Sequence, residues 1–402
     1  MSYIIYRIAG GLAHALNTAS GRIMSFDLSE EEANHLLSNW ERPGEDLSED
    51  TASFFSAQGN PNTRLCRGNL VELGMEFGFP TMVNLEINRR CSLRCLHCYI
   101  GEEDLSSQAP SIFELMPRKD LSSFLDDLRA MGVFLLVFTG GEPFVNKRLN
   151  DLLQMASDKG FVSEIFSNLQ YLPFWFSELN PLESRIGRVQ VSVYSSDQEV
   201  HDAITKRAGS FARTLKNIEF LRVRGFCVEV ATPLMKNNFT SWKRTKDFFA
   251  RLGVPQNFSW PIVNEYYSGK LGKNDLNIPP EQFRQFVDEN EGFLIETRFD
   301  ENPNAPICEA GIALFSIAAD GNVFPCSQFP FRVGNIAEQG IRAIYNSEEM
   351  GRIRGLRNID THLNVAHNYC VGANFSETGD PLTQPMFFVR CIGIALHGRR
   401  KS

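Results

Sequence analysis

Eight consecutive residues carry the most informative pattern in the chain: Cys91-Ser92-Leu93-Arg94-Cys95-Leu96-His97-Cys98. An apolar run that begins near Met82 ends just before them, so the three cysteines fall on a loop behind a predicted strand. Three thiolates this close can hold one iron–sulfur cubane and leave its fourth iron without a protein ligand, whereas such clusters usually take four cysteines. A structural zinc site is the alternative, but it normally needs a fourth ligand, which His97 is poorly placed to supply.

The chain around this loop repeats a strand-then-helix pattern. Apolar runs begin near positions 82, 133, 161, 189, 228 and 258, and most precede a segment of helical period such as 121–131. This alternation predicts successive βα units and a parallel sheet. Six units are too few for a closed eight-stranded barrel, so we predict an α/β fold with a partial (β/α)6 barrel. The active site of such a barrel lies at the carboxyl ends of its strands.

The remaining segments predict a division into four parts. Residues 1–77 are typical of a small α+β unit, with strands at 3–8 and 12–16 and a helix that begins near Leu28. Residues 78–265 form the partial barrel, and residues 266–300 form a polar bridge with a helix near 281–293. In the C-terminal domain, residues 301–402, an Asp320-Gly321 turn between two apolar runs predicts a β-hairpin.

Composition narrows the class of protein. Of 402 residues, 43% are hydrophobic and 22% charged, which is typical of globular proteins. The net charge of −8 lacks the basic footprint of nucleic-acid binding. We find no apolar run of about 18 residues and no signal peptide, so we predict a cytoplasmic protein without a membrane partner. In a reducing compartment, nine cysteines favour metal ligands or catalytic groups over disulfides.

The cysteine triplet resembles the C-x3-C-x2-C signature of the radical S-adenosylmethionine (SAM) enzymes. A second motif, Gly140-Gly141-Glu142-Pro143, closes the second predicted strand, where that family carries Gly-Gly-Glu-Pro. The resemblance implies that Cys91, Cys95 and Cys98 hold a [4Fe–4S] cluster whose open iron binds SAM. It also implies that a flavodoxin- or ferredoxin-type donor supplies one electron, which cleaves SAM to a 5′-deoxyadenosyl radical that abstracts a substrate hydrogen atom.

Further SAM-binding residues follow from the same resemblance. The four residues 140–143 are expected to contact SAM, together with Ser167 and Asn168 after the third strand and Ser192 at the fourth. The family often continues Ser/Thr-Asn with glycine, which Leu169 replaces here. Arg207 is our candidate for the SAM carboxylate, because a guanidinium suits a carboxylate. A solvated charge at a helix start is the alternative, and we expect the nearby residues 201 and 202 to be structural.

The C-terminal cysteines resemble the start of the SPASM extension, which binds two auxiliary clusters in many radical SAM enzymes. Cys308, Gly321 and Cys326 match its C-x9-15-G-x4-C opening. The second half departs from the family, because only Cys370 and Cys391 remain of its later cysteines. On the family's division, Cys308 and Cys326 belong to one site, and Cys370 and Cys391 to another.

Three interpretations of these four cysteines stay open. They gather around one auxiliary cluster or zinc ion; or His362, His367 or Asp360 replaces lost ligands; or the thiols are buried apolar groups without a metal. A cysteine in the cavity can also donate a hydrogen atom to a substrate radical. The candidates for that catalytic role are Cys227, Cys370 and Cys391.

The N-terminal unit bears on the substrate. Its 17–21 turn, its helix start and the 70–75 segment resemble the winged-helix leader-binding domain of ribosomal-peptide maturases, and a strand edge there can bind an extended leader by strand addition. A simple packing domain is the alternative. The resemblances together imply a maturase that crosslinks, epimerises or excises part of a ribosomally made peptide. The alternatives are radical oxidation of a folded protein or small molecule, as in the sulfatase maturases, and a non-catalytic zinc-stabilised interaction module.

Overall fold

The protein is described by a computed structural model. The residues described are 3–9, 12–17, 23–26, 41–43, 67–101, 105, 109–181, 183–264, 271, 274–290, 302–360 and 370–383. Within this part of the chain, no helix combines the length and the apolar character needed to cross a membrane.

The N-terminal unit contains a four-stranded antiparallel sheet. Its strands are β1 (Tyr3–Ala9), β2 (Leu12–Asn17), β3 (Ile23–Phe26) and β4 (Glu41–Pro43), in the order β3-β2-β1-β4. The strands predicted at 3–8 and 12–16 are confirmed as β1 and β2. The sequence reading missed β3 and β4, which are too short for alternation to show. The helix predicted from Leu28 lies outside the described residues.

A nine-stranded sheet forms the centre of the molecule. Its strands are β5 (Met82–Glu86), β6 (Leu135–Thr139), β7 (Val162–Ser167), β8 (Ile186–Ser192), β9 (Val228–Pro233), β10 (Gln256–Ser259), β11 (Leu314–Ile317), β12 (Asn322–Phe324) and β13 (Gly334–Asn335). The order is β10-β9-β8-β7-β6-β5-β11-β12-β13. Strands β5 to β10 pair in parallel, each with the next, which confirms the partial (β/α)6 barrel.

The C-terminal domain continues this sheet from the other side of β5. Strand β11 pairs in parallel with β5 and then turns back into β12 as an antiparallel hairpin. The predicted hairpin is therefore confirmed. Gly321 sits in its turn at φ +87, a backbone conformation that favours glycine.

Twelve helices lie within the described part of the chain. They are α1 (Arg67–Phe77), α2 (Ile112–Leu115), α3 (Arg118–Ala130), α4 (Leu149–Asp158), α5 (Phe174–Ser177), α6 (Gln198–Thr205), α7 (Ser210–Val223), α8 (Trp242–Arg251), α9 (Pro280–Glu289), α10 (Ile341–Tyr345), α11 (Glu348–Arg354) and α12 (Val371–Thr378). The predicted helix at 281–293 corresponds to α9. Helix α3 shows the common pattern, because its buried residues recur at helical spacing and join the main core: Leu121, Phe124, Leu125 and Leu128.

The N-terminal sheet packs under the amino-terminal ends of the barrel strands. Ile5, Leu16 and Leu70 share a buried cluster with Leu135 and Val162. Arg7 is buried at the junction, where its guanidinium donates to the carbonyl oxygens of residues 133 and 160 over 2.7 and 2.8 Å. These carbonyls lie just before β6 and β7, so the unit closes the end of the barrel opposite the cysteine loop. The four predicted domain boundaries stay predictions.

Candidate functional site

The three cysteines of the triplet lie on one loop at the carboxyl end of β5. Cys91, Cys95 and Cys98 are all partly buried. The loop is fixed by its backbone, since Arg94 and Leu96 donate their N–H groups to carbonyls at the end of α6 over 3.1 and 3.0 Å. This is the end of the strands at which such barrels carry their active sites.

The thiols of the triplet are close enough to influence one another. Burial, with a smaller contribution from the charges of neighbouring thiolates such as Cys98, raises the pKa of Cys91 and of Cys95 to about 12. Metal ligation must therefore displace the thiol protons, because only the thiolate binds metal. Three thiols on one short loop are the donor set expected for a [4Fe–4S] cluster with one open iron. Within the described ranges, no three His, Cys, Asp or Glu side chains are grouped to hold a single metal ion.

The Gly-Gly-Glu-Pro segment packs directly on the backbone that precedes Cys91. The N–H groups of Gly141 and Glu142 donate over 2.8 Å to the carbonyl oxygens of Asn88 and Arg90. A Cβ at Gly140 would overlap the Asn88 carbonyl, and one at Gly141 would overlap the Arg89 and Arg90 carbonyls. Glycine is required at both positions because the two chains approach at backbone distance. Pro143 is buried and begins a short 3₁₀ turn.

The side chain of Glu142 forms hydrogen bonds within the protein. Its carboxylate is fully buried and accepts hydrogen bonds from Ser167 Oγ at 2.7 Å, the Asn168 N–H at 2.8 Å and the Phe144 N–H at 3.1 Å. Burial raises the pKa of Glu142 to about 7. The carboxylate thus links the ends of β6 and β7. Contact between residues 140–143 and SAM stays a prediction, and so does the role of Ser167.

The turn after β7 contains a leucine where the family often has glycine, and the backbone at this leucine is strained. Leu169 has φ 50 in the left-handed region and is fully buried. Its N–H donates to Ser167 Oγ over 2.8 Å. Leu169 therefore departs from the family's glycine in sequence while keeping the backbone conformation that favours glycine. The next side chain toward the loop, Asn168, donates from Nδ2 to Cys91 Sγ over 3.3 Å.

Ser192 lies at the end of β8 beside a residue that the sequence reading missed. Tyr194 is buried, interacts with the Ser192 side chain, and donates from its hydroxyl to Cys95 Sγ over 3.5 Å. The ring of His97 packs edge-on against Tyr194 at 4.8 Å, and burial lowers the pKa of His97 to about 4. An aromatic residue two places beyond Ser192 was the only available signal for this contact.

Arg207 lies against the cysteine loop, where its Nη1 donates to the Ser92 carbonyl over 3.1 Å. Its pairing with the SAM carboxylate stays a prediction. The structural expectation for the preceding residues is supported, because Asp202 accepts hydrogen bonds from Gly209, Ser210 and Phe211 at the start of α7. His201 is buried against Tyr194 and accepts from its N–H.

Three of the C-terminal cysteines, Cys308, Cys326 and Cys370, lie near one another. Burial raises the pKa of Cys308, Cys326 and Cys370, and the charge of Cys370 adds to this effect on the other two thiols. The negative charge of Glu309 also raises the pKa of all three thiols. Cys370 Sγ lies 3.6 Å from the side-chain oxygen of Gln328, two residues after Cys326. Cys370 therefore lies near Cys308 and Cys326, and its assignment to one auxiliary site or to a second one stays a prediction.

The other proposed ligands and donors fall in different places. Cys391, His362 and His367 lie outside the described residues. Asp360 accepts the N–H of Arg357 in a 3₁₀ turn over 2.8 Å. Cys227 immediately precedes β9, at the end of the sheet opposite the cysteine loop, and this position does not support a hydrogen-donor role.

A buried charge network lines the inner face of the barrel. Arg188 on β8 donates to Glu164 on β7 at 2.6 Å and to Glu229 on β9 at 2.8 Å. The Arg67 guanidinium on α1 lies 3.8 Å from Glu164. Ile165, the next residue on β7, packs in the helix-facing core, so Glu164 faces the interior. The sequence signal for this network is the presence of single charged residues within otherwise apolar strands, and the sequence reading missed it.

Comparison with known families accounts for both cysteine groups. The profile of the radical SAM superfamily matches residues 85–249, which contain the triplet, the Gly-Gly-Glu-Pro segment and β6 to β9. The chain belongs to the radical SAM superfamily. A second profile, that of the SPASM iron–sulfur cluster-binding domain, matches residues 308–370. A radical SAM domain implies a [4Fe–4S] cluster and SAM as cofactors, and an SPASM domain implies auxiliary iron–sulfur binding.

Individual relatives of this radical SAM protein have several named roles. The antilisterial bacteriocin subtilosin biosynthesis protein AlbA of Bacillus subtilis is 30% identical over 284 residues, covering 68% of this chain and 61% of AlbA. This chain therefore spans less than two thirds of that relative's length. An AdoMet-dependent heme synthase of Methanosarcina barkeri is 24% identical over 343 residues, covering 77% of this chain and 96% of the relative.

Solved structures support the fold. Streptococcus suis SuiB bound to precursor peptide SuiA has a TM-score of 0.62 at 15% identity, covering 94% of this chain and 96% of SuiB. The structure of anSMEcpe with bound AdoMet has a TM-score of 0.62 at 14% identity, covering 80% and 94% of the two chains. At these identities the similarity concerns the fold alone.

Proposed function

We propose that this protein is a radical SAM enzyme that modifies a ribosomally synthesised peptide by crosslinking, epimerisation or excision. The observation that carries the proposal is the joining of the cysteine loop to the Gly140-Gly141 strand end. That junction joins the loop with three partly buried thiols to the Gly140-Gly141 backbone at the carboxyl ends of the parallel strands. When bound, the cluster and SAM supply a 5′-deoxyadenosyl radical that removes a hydrogen atom from the substrate, using one electron from a flavodoxin- or ferredoxin-type donor.

The chain's own residues would prepare this site in three ways. Cys91, Cys95 and Cys98 would hold the cluster as thiolates after losing their protons. The 140–143 segment would offer backbone groups to the amino end of SAM, while Ser192 and Arg207 would contact its ribose and carboxylate. The buried strand ends would exclude water from the radical.

We infer a single auxiliary iron–sulfur site in the C-terminal domain. Its protein ligands would be Cys308, Cys326 and Cys370, because these three thiols lie within electrostatic range of one another. Cys391 stays a candidate fourth ligand. An auxiliary cluster would give the enzyme a second redox centre, which favours oxidative crosslinking over redox-neutral chemistry.

The peptide assignment has support from two proteins. AlbA is named for subtilosin biosynthesis, and SuiB has been solved with its precursor peptide SuiA. The N-terminal sheet would bind an extended leader along an edge strand, either β3 or β4. Backbone hydrogen exchange of the whole protein, with and without the leader peptide, tests this. Protection confined to residues 23–26 or 41–43 supports leader binding at an edge, whereas unchanged exchange at both edges leaves the unit a packing domain.

A small-molecule substrate is the second candidate function, and the match to 96% of an AdoMet-dependent heme synthase favours it. Anaerobic incubation with SAM and a reductant, followed by mass spectrometry, distinguishes the candidates. One reaction contains a precursor peptide encoded beside the gene, and the other contains an iron porphyrin. A mass change of the peptide alone supports the maturase, and a mass change of the porphyrin alone would replace it.

A further inference from the structure

Two polar side chains from neighbouring strand ends contact the cysteine loop. The Tyr194 hydroxyl donates to Cys95 Sγ over 3.5 Å, and Asn168 Nδ2 donates to Cys91 Sγ over 3.3 Å. Neither donor belongs to the loop, because Asn168 follows β7 and Tyr194 follows β8. Two thiols of the triplet therefore each receive a hydrogen bond from the barrel wall.

The orientation of the Asn168 amide is fixed by its neighbours. Its Oδ1 accepts the N–H of Gln170 over 2.9 Å, which leaves Nδ2 to face Cys91. Its backbone is held as well, since its N–H donates to Glu142 and its carbonyl accepts from Thr214 Oγ1 at 2.8 Å. The donor is therefore set in place by the folded barrel.

Tyr194 is held equally firmly. Its ring lies between those of His97 and His201, at centroid distances of 4.8 and 5.3 Å, and it is 4% exposed. Its carbonyl accepts from Asn238 Nδ2 over 2.9 Å. A tyrosine confined in this way keeps its hydroxyl at Cys95.

We propose that Tyr194 and Asn168 are positioning residues that raise the reduction potential of the SAM-binding cluster. This role rests on the cluster assignment of the proposed function. Hydrogen bonds to cluster sulfurs are among the main determinants of iron–sulfur potentials. A donor draws electron density from the thiolate and stabilises the reduced cluster, which carries one more negative charge. The two contacts would thus make the cluster easier for its one-electron donor to reduce.

The test is a potentiometric titration of the anaerobically reconstituted full chain. The reduced cluster is followed by the EPR signal that changes when SAM is added, which separates it from a cluster on the C-terminal thiols. Tyr194→Phe removes only the hydroxyl. We expect its midpoint potential to fall, and a tenfold change in the equilibrium constant of reduction corresponds to about 59 mV for one electron. Tyr345→Phe is the matched control, because that buried hydroxyl donates to the Ile312 carbonyl in the C-terminal domain.

A second variant keeps the test decisive if Tyr194→Phe binds little iron. Asn168→Ala removes the donor to Cys91 without introducing a charge, so its potential should also fall. An unchanged potential in either iron-loaded variant would overturn the proposal, and so would loss of the cluster from both, which would make the residues structural. A wild-type protein that assembles no cluster on residues 91–98 would overturn the proposed function instead.

Discussion

Ser167 donates a 2.7 Å hydrogen bond to the buried carboxylate of Glu142 and so ties the end of β7 to the turn after β6. Burial raises the pKa of Glu142 to about 7, although three donors contact the carboxylate. The site therefore contains a carboxyl group that changes charge near neutral pH. Its position beside the cysteine loop connects the stability of the site to pH.

The first prediction concerns this pH dependence. Because the pKa of Glu142 in the folded protein lies above its ordinary value of 4.5, the folded state holds this proton more tightly than the unfolded state does. The resulting stabilisation is complete below about pH 4.5 and is lost as the pH rises through about 7. The difference corresponds to about 3 kcal/mol. The free energy of unfolding of Glu142→Gln, measured by denaturant at pH 5 and pH 8, should lack this decline. Glu338→Gln, at an exposed pair with Arg332, is the control and should decline as the wild type does.

The second prediction concerns the close approach at Gly141. In Gly141→Ala, the new methyl group must displace the carbonyls of Arg89 and Arg90, so the cysteine loop should shift. We expect a large loss of iron bound after anaerobic reconstitution, measured per folded chain. Gly351→Ala in α11 is the matched control, since a Cβ there meets nothing within 4 Å. Full iron binding by Gly141→Ala would contradict the packing described.

The third prediction concerns the strained turn at Leu169. Truncation of this buried side chain should cost roughly 2–5 kcal/mol. Leu169→Gly also removes the left-handed strain, worth about 1–2 kcal/mol, whereas Leu169→Ala retains it. Glycine should therefore be at least as well tolerated as alanine, the reverse of the usual order in regular structure. Chemical denaturation of both variants checks this, and a clearly more stable Leu169→Ala would refute the strain.

The fourth prediction concerns the C-terminal thiols. A chain in which all three triplet cysteines are replaced by alanine should retain about four irons, the content of one cubane. Adding Cys370→Ala should remove this iron, as should adding Cys308→Ala. Adding Cys227→Ala should leave it, because Cys227 lies at the far end of β9. Retention of the iron without Cys370 would contradict the single three-thiol site and favour the division into two pairs.

Local motifs made the centre of the site predictable. The spacing of the triplet and the Gly-Gly-Glu-Pro segment are each continuous in sequence, and backbone contact between them explains why both are needed. Strands β5 to β9 were predictable because most of their residues are buried and many are apolar, whereas β10 is only partly buried. The hairpin at Gly321 followed from its turn residues.

Contacts between distant strands were not predictable in this way. Tyr194 reaches Cys95 from another strand end, and Arg188 joins two carboxylates on its neighbouring strands. Neither contact leaves a local spacing in the sequence. The grouping of Cys370 could not be derived from spacing, because the chain lacks several cysteines of the family register that would set it. Short strands such as β4, with three residues, show no measurable period.

The most direct test of the central claim is reductive cleavage of SAM. The anaerobically reconstituted protein is mixed with SAM and dithionite, and 5′-deoxyadenosine is quantified by liquid chromatography with mass spectrometry. We predict that the wild type and Cys227→Ala form 5′-deoxyadenosine, and that Cys95→Ala forms none above the reagent background. Absence of 5′-deoxyadenosine from the iron-loaded wild type, or equal formation by Cys95→Ala, would contradict the assignment of a radical SAM site to the loop at residues 91–98.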